Sequence, residues 1–180
     1  MEMQIKTQGS PSRRPLLNRL CTLLAVVLSG VAALGQDTGI HVNADLAGLT
    51  HVVDTHQKDH VVAPEKGQIG IDSIQTAKDG KTAAWLVLYQ DPGGRGPVSG
   101  TLVVWRGGKV VRRFQTDQTF WSWAFDDAQA KRVAYHVGPM HGEPAARCEL
   151  HDVKTGRLAL VWQGDLRDAK RPPWTEGLSH

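Results

Sequence analysis

Two cysteines occur in 180 residues, Cys21 and Cys148. Cys21 lies in an N-terminal leader, so removal of that leader leaves a single thiol and excludes an intramolecular disulfide. A surplus of one charge is also missing from most of the chain. Four of the 21 basic residues (Lys6, Arg13, Arg14, Arg19) but only one of the 18 acids (Glu2) fall within residues 1–35. The formal charge of +3 therefore belongs to that segment, and the remainder, with 17 side chains of each sign, is neutral. Neutrality argues against a nucleic-acid or anionic-membrane partner, which would call for a basic footprint. No window of ten or more residues carries a clean 3.6-residue apolar period, so helices are expected to be absent or a single turn. Catalytic signatures are lacking too: there is no Gly-x-Ser-x-Gly elbow and no His-Glu-x-x-His. The loop Gly93-Gly94-Arg95-Gly96 lacks the helix and Lys-Ser/Thr that a phosphate cradle needs.

What is present begins with the leader. A polar, basic stretch over residues 1–19 is followed by an apolar run over residues 20–33, and Ala33-Leu34-Gly35 gives a small-x-small site before Gln36. This is the pattern of a secretory signal peptide, too short for a comfortable transmembrane helix. Cys21 follows Asn18-Arg19-Leu20 and not the small residues of a lipoprotein site, so no membrane anchor is expected after cleavage. Ser12-Arg13-Arg14-Pro15-Leu16-Leu17 resembles the twin-arginine export motif, with Leu16 in place of the commonest Phe and Asn18 in place of the commonest Lys. The general secretory route and the twin-arginine route both stay open, and either implies a periplasmic or extracellular destination.

Beyond the leader, residues 36–180 read as one all-β domain. Short β-branched runs at residues 40–42, 49–53 and 60–62 are separated by polar turns, giving two or three short strands within 36–70. Asp79-Gly80 is a strong turn signal. Residues 82–89 then form a nearly continuous apolar run suited to a central strand covered on both faces. A hairpin follows over residues 101–114, closed on Arg106-Gly107-Gly108-Lys109, and a second aromatic strand starts at Phe120. The tail, residues 165–180, reads as extended and partly disordered.

The plan of strand, turn, strand, long loop and hairpin occurs twice, over residues 74–114 and 120–162. Leu102 matches Leu150 and Val110 matches Leu158 at a spacing of 48, and Trp85 matches Tyr135 at a spacing of 50. Residues 74–114 and 123–162 resemble two degenerate blades of TolB-like or WD40-like propeller repeats, through Asp79-Gly80-Lys81 in the first and Asp152-Val153-Lys154-Thr155-Gly156 in the second. The second copy has Asp126-Asp127-Ala128-Gln129 where the first has Asp-Gly-Lys, and the first has Arg106-Gly107-Gly108 where the second has Asp-x-x-Thr-Gly. Two copies fall short of the four blades of a closed propeller. The expected architecture is two packed antiparallel sheets, an open sandwich or partial propeller with almost no helix. The region after the leader also resembles short secreted bacterial proteins, a likeness that implies no activity.

Candidate site residues lie around the second copy. His136-Val137-Gly138-Pro139-Met140-His141-Gly142 mounts two imidazoles beside a Gly/Pro loop at the exit of a well-specified strand. Trp121 is the member of the Trp121, Trp123, Phe125 row expected to be most accessible, although alternation would put all three rings on one face. Trp121, His136 and His141 are thus the expected ligand-binding residues, with His136 and His141 as ligands if zinc or copper is bound. His51, His56 and His60 are read as solvated loop histidines, and Cys148 as a buried small hydrophobe. The resulting expectation is a secreted, non-enzymatic module that binds an envelope protein or small ligand as a monomer or homodimer, with no cofactor. A metal-binding protein or metal-assisted enzyme is the alternative.

Overall fold

The structure is a computed structural model that describes residues 39–94, 96–139 and 146–179, all within the compact unit Asp37–His180. The fold is all-β, with three antiparallel sheets among the described residues. The first is a meander of three four-residue strands, β1 (His41–Ala44), β2 (Thr50–Val53) and β3 (Asp59–Val62). The second runs β4 (Gln68–Thr76), β5 (Thr82–Gln90), β6 (Pro97–Arg106) and β7 (Lys109–Gln115) in sequential order. The third repeats that order with β8 (Thr119–Phe125), β9 (Arg132–Gly138), β10 (Ala146–Asp152) and β11 (Leu158–Gly164). The three weak runs of residues 36–70 thus form a sheet of their own, and the two four-stranded sheets span residues 68–115 and 119–164.

Turn chemistry fixes these strands locally. Asp79 Oδ1 accepts the backbone N–H groups of Lys81 and Thr82, while Gly80 takes φ 63°, a conformation that costs a residue with a Cβ. Asp152 caps its own turn in the same way, accepting from the Thr155 backbone and hydroxyl. Gly107 and Gly108, both at positive φ, close the β6–β7 hairpin in the two-residue form that matches strand twist.

The sheets pack as successive layers. Strand β5 explains this from its sequence, since period-two alternation sends Ala83, Trp85 and Val87 to one face and Ala84 and Leu86 to the other. Trp85, with Val103 and Trp105, packs against Val52 of the first sheet and Ile40 just before it. On the opposite face Leu86, Leu102 and Phe114 meet Phe120, Trp123 and Tyr135 of the third sheet. Arginines of the second sheet bind carbonyls in the turns of the third: Arg106 donates to Ala130 and Arg112 to Val153.

The third sheet has a further apolar face, and the tail covers it. Leu166 and Leu178 pack with Ala134, Cys148 and Leu150, and Trp174 adds to the same cluster. A short 3-10 helix, Pro173–Thr175, buries Thr175 completely. The expectation of a partly disordered tail is therefore corrected over residues 165–179, because this sheet face would otherwise expose an apolar surface.

Candidate functional site

Strand β9 carries His136 to the end of the third sheet, between Ser122 on β8 and Cys148 on β10. It shares the face with Cys148 and Ala134, and that face is the one the tail covers. The Ser122 hydroxyl donates to the Ser179 carbonyl oxygen at 2.7 Å and accepts its backbone N–H at 3.1 Å. His136 Nδ1 lies 3.5 Å from the same carbonyl oxygen, and the residue is buried. His136, expected as a ligand-binding residue, thus stands on a strand as anticipated, on the face that the tail covers. His141, with Met140, Gly142 and Glu143, lies outside the described residues. Among those described, no group of three or more His, Cys, Asp or Glu side chains has a geometry that would hold a metal ion.

Trp121 is 46% exposed, but not as one of three rings on a common face. A register shift between Phe120 and Ser122 makes Trp121 a bulged residue. Phe120 and Trp123 thereby both enter the core while Trp121 turns out, which corrects strict alternation by one residue. The same device recurs twice on β4. One shift skips Ile69, the other skips Ser73 and Ile74, and both isoleucines are exposed. Ser73 sits at φ 50°, an unusual conformation for a residue with a Cβ. The two bulged strands are joined, because Trp123 Nε1 donates to the Ser73 carbonyl at 2.9 Å and Gln75 Nε2 donates to the Trp123 carbonyl at 2.8 Å. Three bulges on two joined edge strands therefore turn out three large apolar side chains.

The other histidines are on or beside strands with carboxylate partners, a correction to the solvated-loop reading for two of the three. His51 Nδ1 lies 2.8 Å from Asp59 and its Nε2 3.5 Å from Asp45. The hydrogen bond with Asp59 holds the His51 pKa above its ordinary value. His60 Nε2 lies 2.8 Å from Asp54 and its ring meets Trp105 edge-on at 5.3 Å. The Asp54 carboxyl is pulled down to about 2, first by that imidazole and then by backbone N–H groups of its turn. His56 stays exposed in the turn.

Sequence reasoning missed one cluster altogether. Glu149 accepts from Arg147 at 2.8 Å and from the Tyr135 hydroxyl at 3.2 Å, and it lies 2.9 Å from His151 Nε2. His151 stacks on Tyr135, with ring centroids 4.9 Å apart. The available signal was the spacing of Arg147, Glu149 and His151, which puts all three on one strand face opposite Tyr135. Burial, and then the Glu149 charge, push the Tyr135 hydroxyl well above its ordinary range. Burial opposes ionisation of Glu149, but the bonds from His151, Arg147 and Tyr135 outweigh it and lower its pKa. A phenol held protonated against a carboxylate held ionised is a donor–acceptor lock between strands, not an acid–base pair poised near neutrality. Cys148 is fully buried, and burial pushes its thiol up to about 11, against a smaller pull from Arg171. It is the buried small hydrophobe expected, and an unactivated nucleophile.

No protein-family model and no curated protein matches this chain.

Proposed function

We propose that this chain is an exported, non-enzymatic β module that docks a protein of the bacterial envelope through the bulged edges of β4 and β8. The observation that carries the reading is the set of three bulges that turn Ile69, Ile74 and Trp121 to solvent on strands joined by Trp123. Bulges are a recurrent way of re-aiming a side chain, and they spoil an edge for strand pairing. A partner would therefore be met by side chains, with the indole as the large anchor typical of binding hot spots. Export is the part of the proposal that rests on residues 1–35. The kinship of the two four-stranded sheets with propeller blades is likewise a proposal. It is supported by their identical strand order and by Trp85 and Tyr135, which sit on matching strands and face the preceding layer.

The test places a photo-crosslinking residue at position 121 in exporting cells. An adduct that forms there, is competed by the wild-type chain and is not competed by Ile74→Ser/Trp121→Ala supports the docking surface. Equal competition by the double variant, with its thermal midpoint unchanged, overturns it. Export is checked separately: the mature chain should begin within a few residues of Gln36. Secretion that survives replacement of Arg13 and Arg14 by Lys rules out the twin-arginine route.

A further inference from the structure

The neutrality of residues 36–180 argues against a basic footprint only if the charges are evenly spread, and the topology does not spread them evenly. In a meander alternate turns lie at one end, so the β4–β5 and β6–β7 turns share an end of the second sheet, and the β8–β9 and β10–β11 turns share an end of the third. Within each sheet these turns touch: Gly107 N–H donates to the Lys81 carbonyl at 3.2 Å, and Val153 N–H to the Lys131 carbonyl at 2.8 Å. Between the sheets, Arg106 reaches Ala130 and Arg112 reaches Val153, which sets both pairs of turns at the same end. A Cβ on Gly108 would lie 3.2 Å from His60 Cε1, and His60 is bonded to Asp54, so the β2–β3 turn joins them. Residues 54–59, 77–82, 106–109, 126–132 and 152–157 hold nine of the 17 basic side chains of residues 36–180 but six of the 17 acids.

Folding also sorts the two signs by depth. Asp54, Asp79, Asp127 and Asp152 are half-buried and cap their own turns through backbone N–H groups. Asp126 is paired with Arg132, and Asp59 with His51. Lys58, Lys78, Lys81, Lys109, Lys131, Lys154 and Arg157 are all exposed, and none of them makes an ion pair among the described residues. The field met from solvent at this end is therefore dominated by the cations.

We propose that this end is a membrane-adsorption face, which settles on a bilayer surface rich in anionic phospholipid. Three features pick that occupant. The cations come from five turns over three layers about 10 Å apart, so they form a two-dimensional array that matches a charged plane better than a single strand or one phosphate. Six of the seven are lysines, hydrated point charges suited to diffuse attraction, where arginine forks would grip individual phosphates. No Phe, Tyr or Trp occurs in these turns, so the stacking platforms with which proteins hold single-stranded nucleic acid are missing, and no large ring is there to enter the hydrocarbon. The contact is electrostatic and reversible, and it needs no anchor.

The experiment is sedimentation of the full chain with vesicles of phosphatidylcholine alone or mixed with phosphatidylglycerol. Binding is expected to the mixed vesicles only, and it should fall away as added salt shortens the Debye length, which is about 10 Å at 0.1 M. Lys78→Gln/Lys131→Gln should weaken it by about 25-fold, at about fivefold for each charge near an anionic surface. Lys66→Gln, in the β3–β4 connection at the opposite end, should leave it nearly unchanged. Because the leader is itself basic and apolar, orientation is read directly in a Cys21→Ser background. A fluorophore on Ala128→Cys should be quenched by a headgroup-bound quencher, and one on Gln118→Cys, between β7 and β8, should not. Absence of binding to the mixed vesicles overturns the proposal, as does equal binding to phosphatidylcholine alone or equal quenching at both positions. So does indifference to Lys78→Gln/Lys131→Gln, or tighter binding to a single-stranded oligonucleotide than to the mixed vesicles. No residue of this face belongs to the β4/β8 surface, so vesicle binding and crosslinking at position 121 can fail separately.

Discussion

Gly177 gives the sharpest test of how the tail is held. Its backbone passes so close to β8 that an added Cβ would lie 2.6 Å from the Ala124 Cβ, well inside van der Waals contact. Gly177 does not occupy the left-handed region, so Gly177→Ala carries no backbone strain and acts by contact alone. Ala124 cannot yield, because its methyl is fixed to a strand paired with Ala134 of β9; the tail must lift. Overpacking of this kind costs about 1–3 kcal/mol, comparable to the roughly 1.5–3 kcal/mol contributed by burying a leucine such as Leu178. The population in which residues near 177 are detached should rise by about 5- to 150-fold. Cys148 reports the detachment, since it is buried beneath the tail with its thiol pushed up to about 11. In the lifted state it regains solvent and an ordinary thiol pKa. With Cys21 replaced by Ser, modification of Cys148 by an aromatic disulfide at mildly alkaline pH should accelerate by the same factor, while far-ultraviolet circular dichroism keeps its strand signature. An unchanged modification rate would refute the argument that Gly177 seats the tail over Cys148.

Two further predictions follow from the layers and the histidine pairs. Trp85→Ala empties a site between the first and second sheets where the indole is 1% exposed, and chemical denaturation should show a loss of about 3–5 kcal/mol; a loss below about 1 kcal/mol would mean that the layer is not packed as described. The pH dependence of stability should have two limbs. The folded pKa of Asp54 is lowered from 3.8 to about 2, so its contribution is present above 3.8 and lost as pH falls through about 2. That of His51 is raised from 6.5, so its contribution is full below 6.5 and lost as pH rises through the raised value. Urea midpoints should therefore be highest between 3.8 and 6.5 as far as these groups are concerned. His51→Gln should flatten the alkaline limb only, and an unaltered alkaline limb would count against the Asp59 pairing.

The amino-acid sequence by itself determined what local chemistry controls. Asp79-Gly80, Gly107-Gly108 and Asp152 to Gly156 specify turns through side-chain caps and positive φ, which need no distant partner. The apolar run over residues 82–89 was legible as a strand buried on both faces because period-two alternation needs two apolar surfaces there. Buried Trp85, Trp123 and Cys148 were readable on the same grounds. Tertiary structure decided the rest. A bulge is a mismatch between two strands, so the outward turn of Ile69, Ile74 and Trp121 depends on the partner strands as much as on their own. Residues 165–179 have little pattern of their own and are ordered by the apolar face they cover, and that same cover removes His136 from solvent. The Tyr135, Glu149, His151 cluster needed the register of β9 against β10, which places Tyr135 opposite Glu149. Hydrogen bonds across strands far apart in sequence are invisible until pairing is set, because no local spacing encodes which residue will stand opposite.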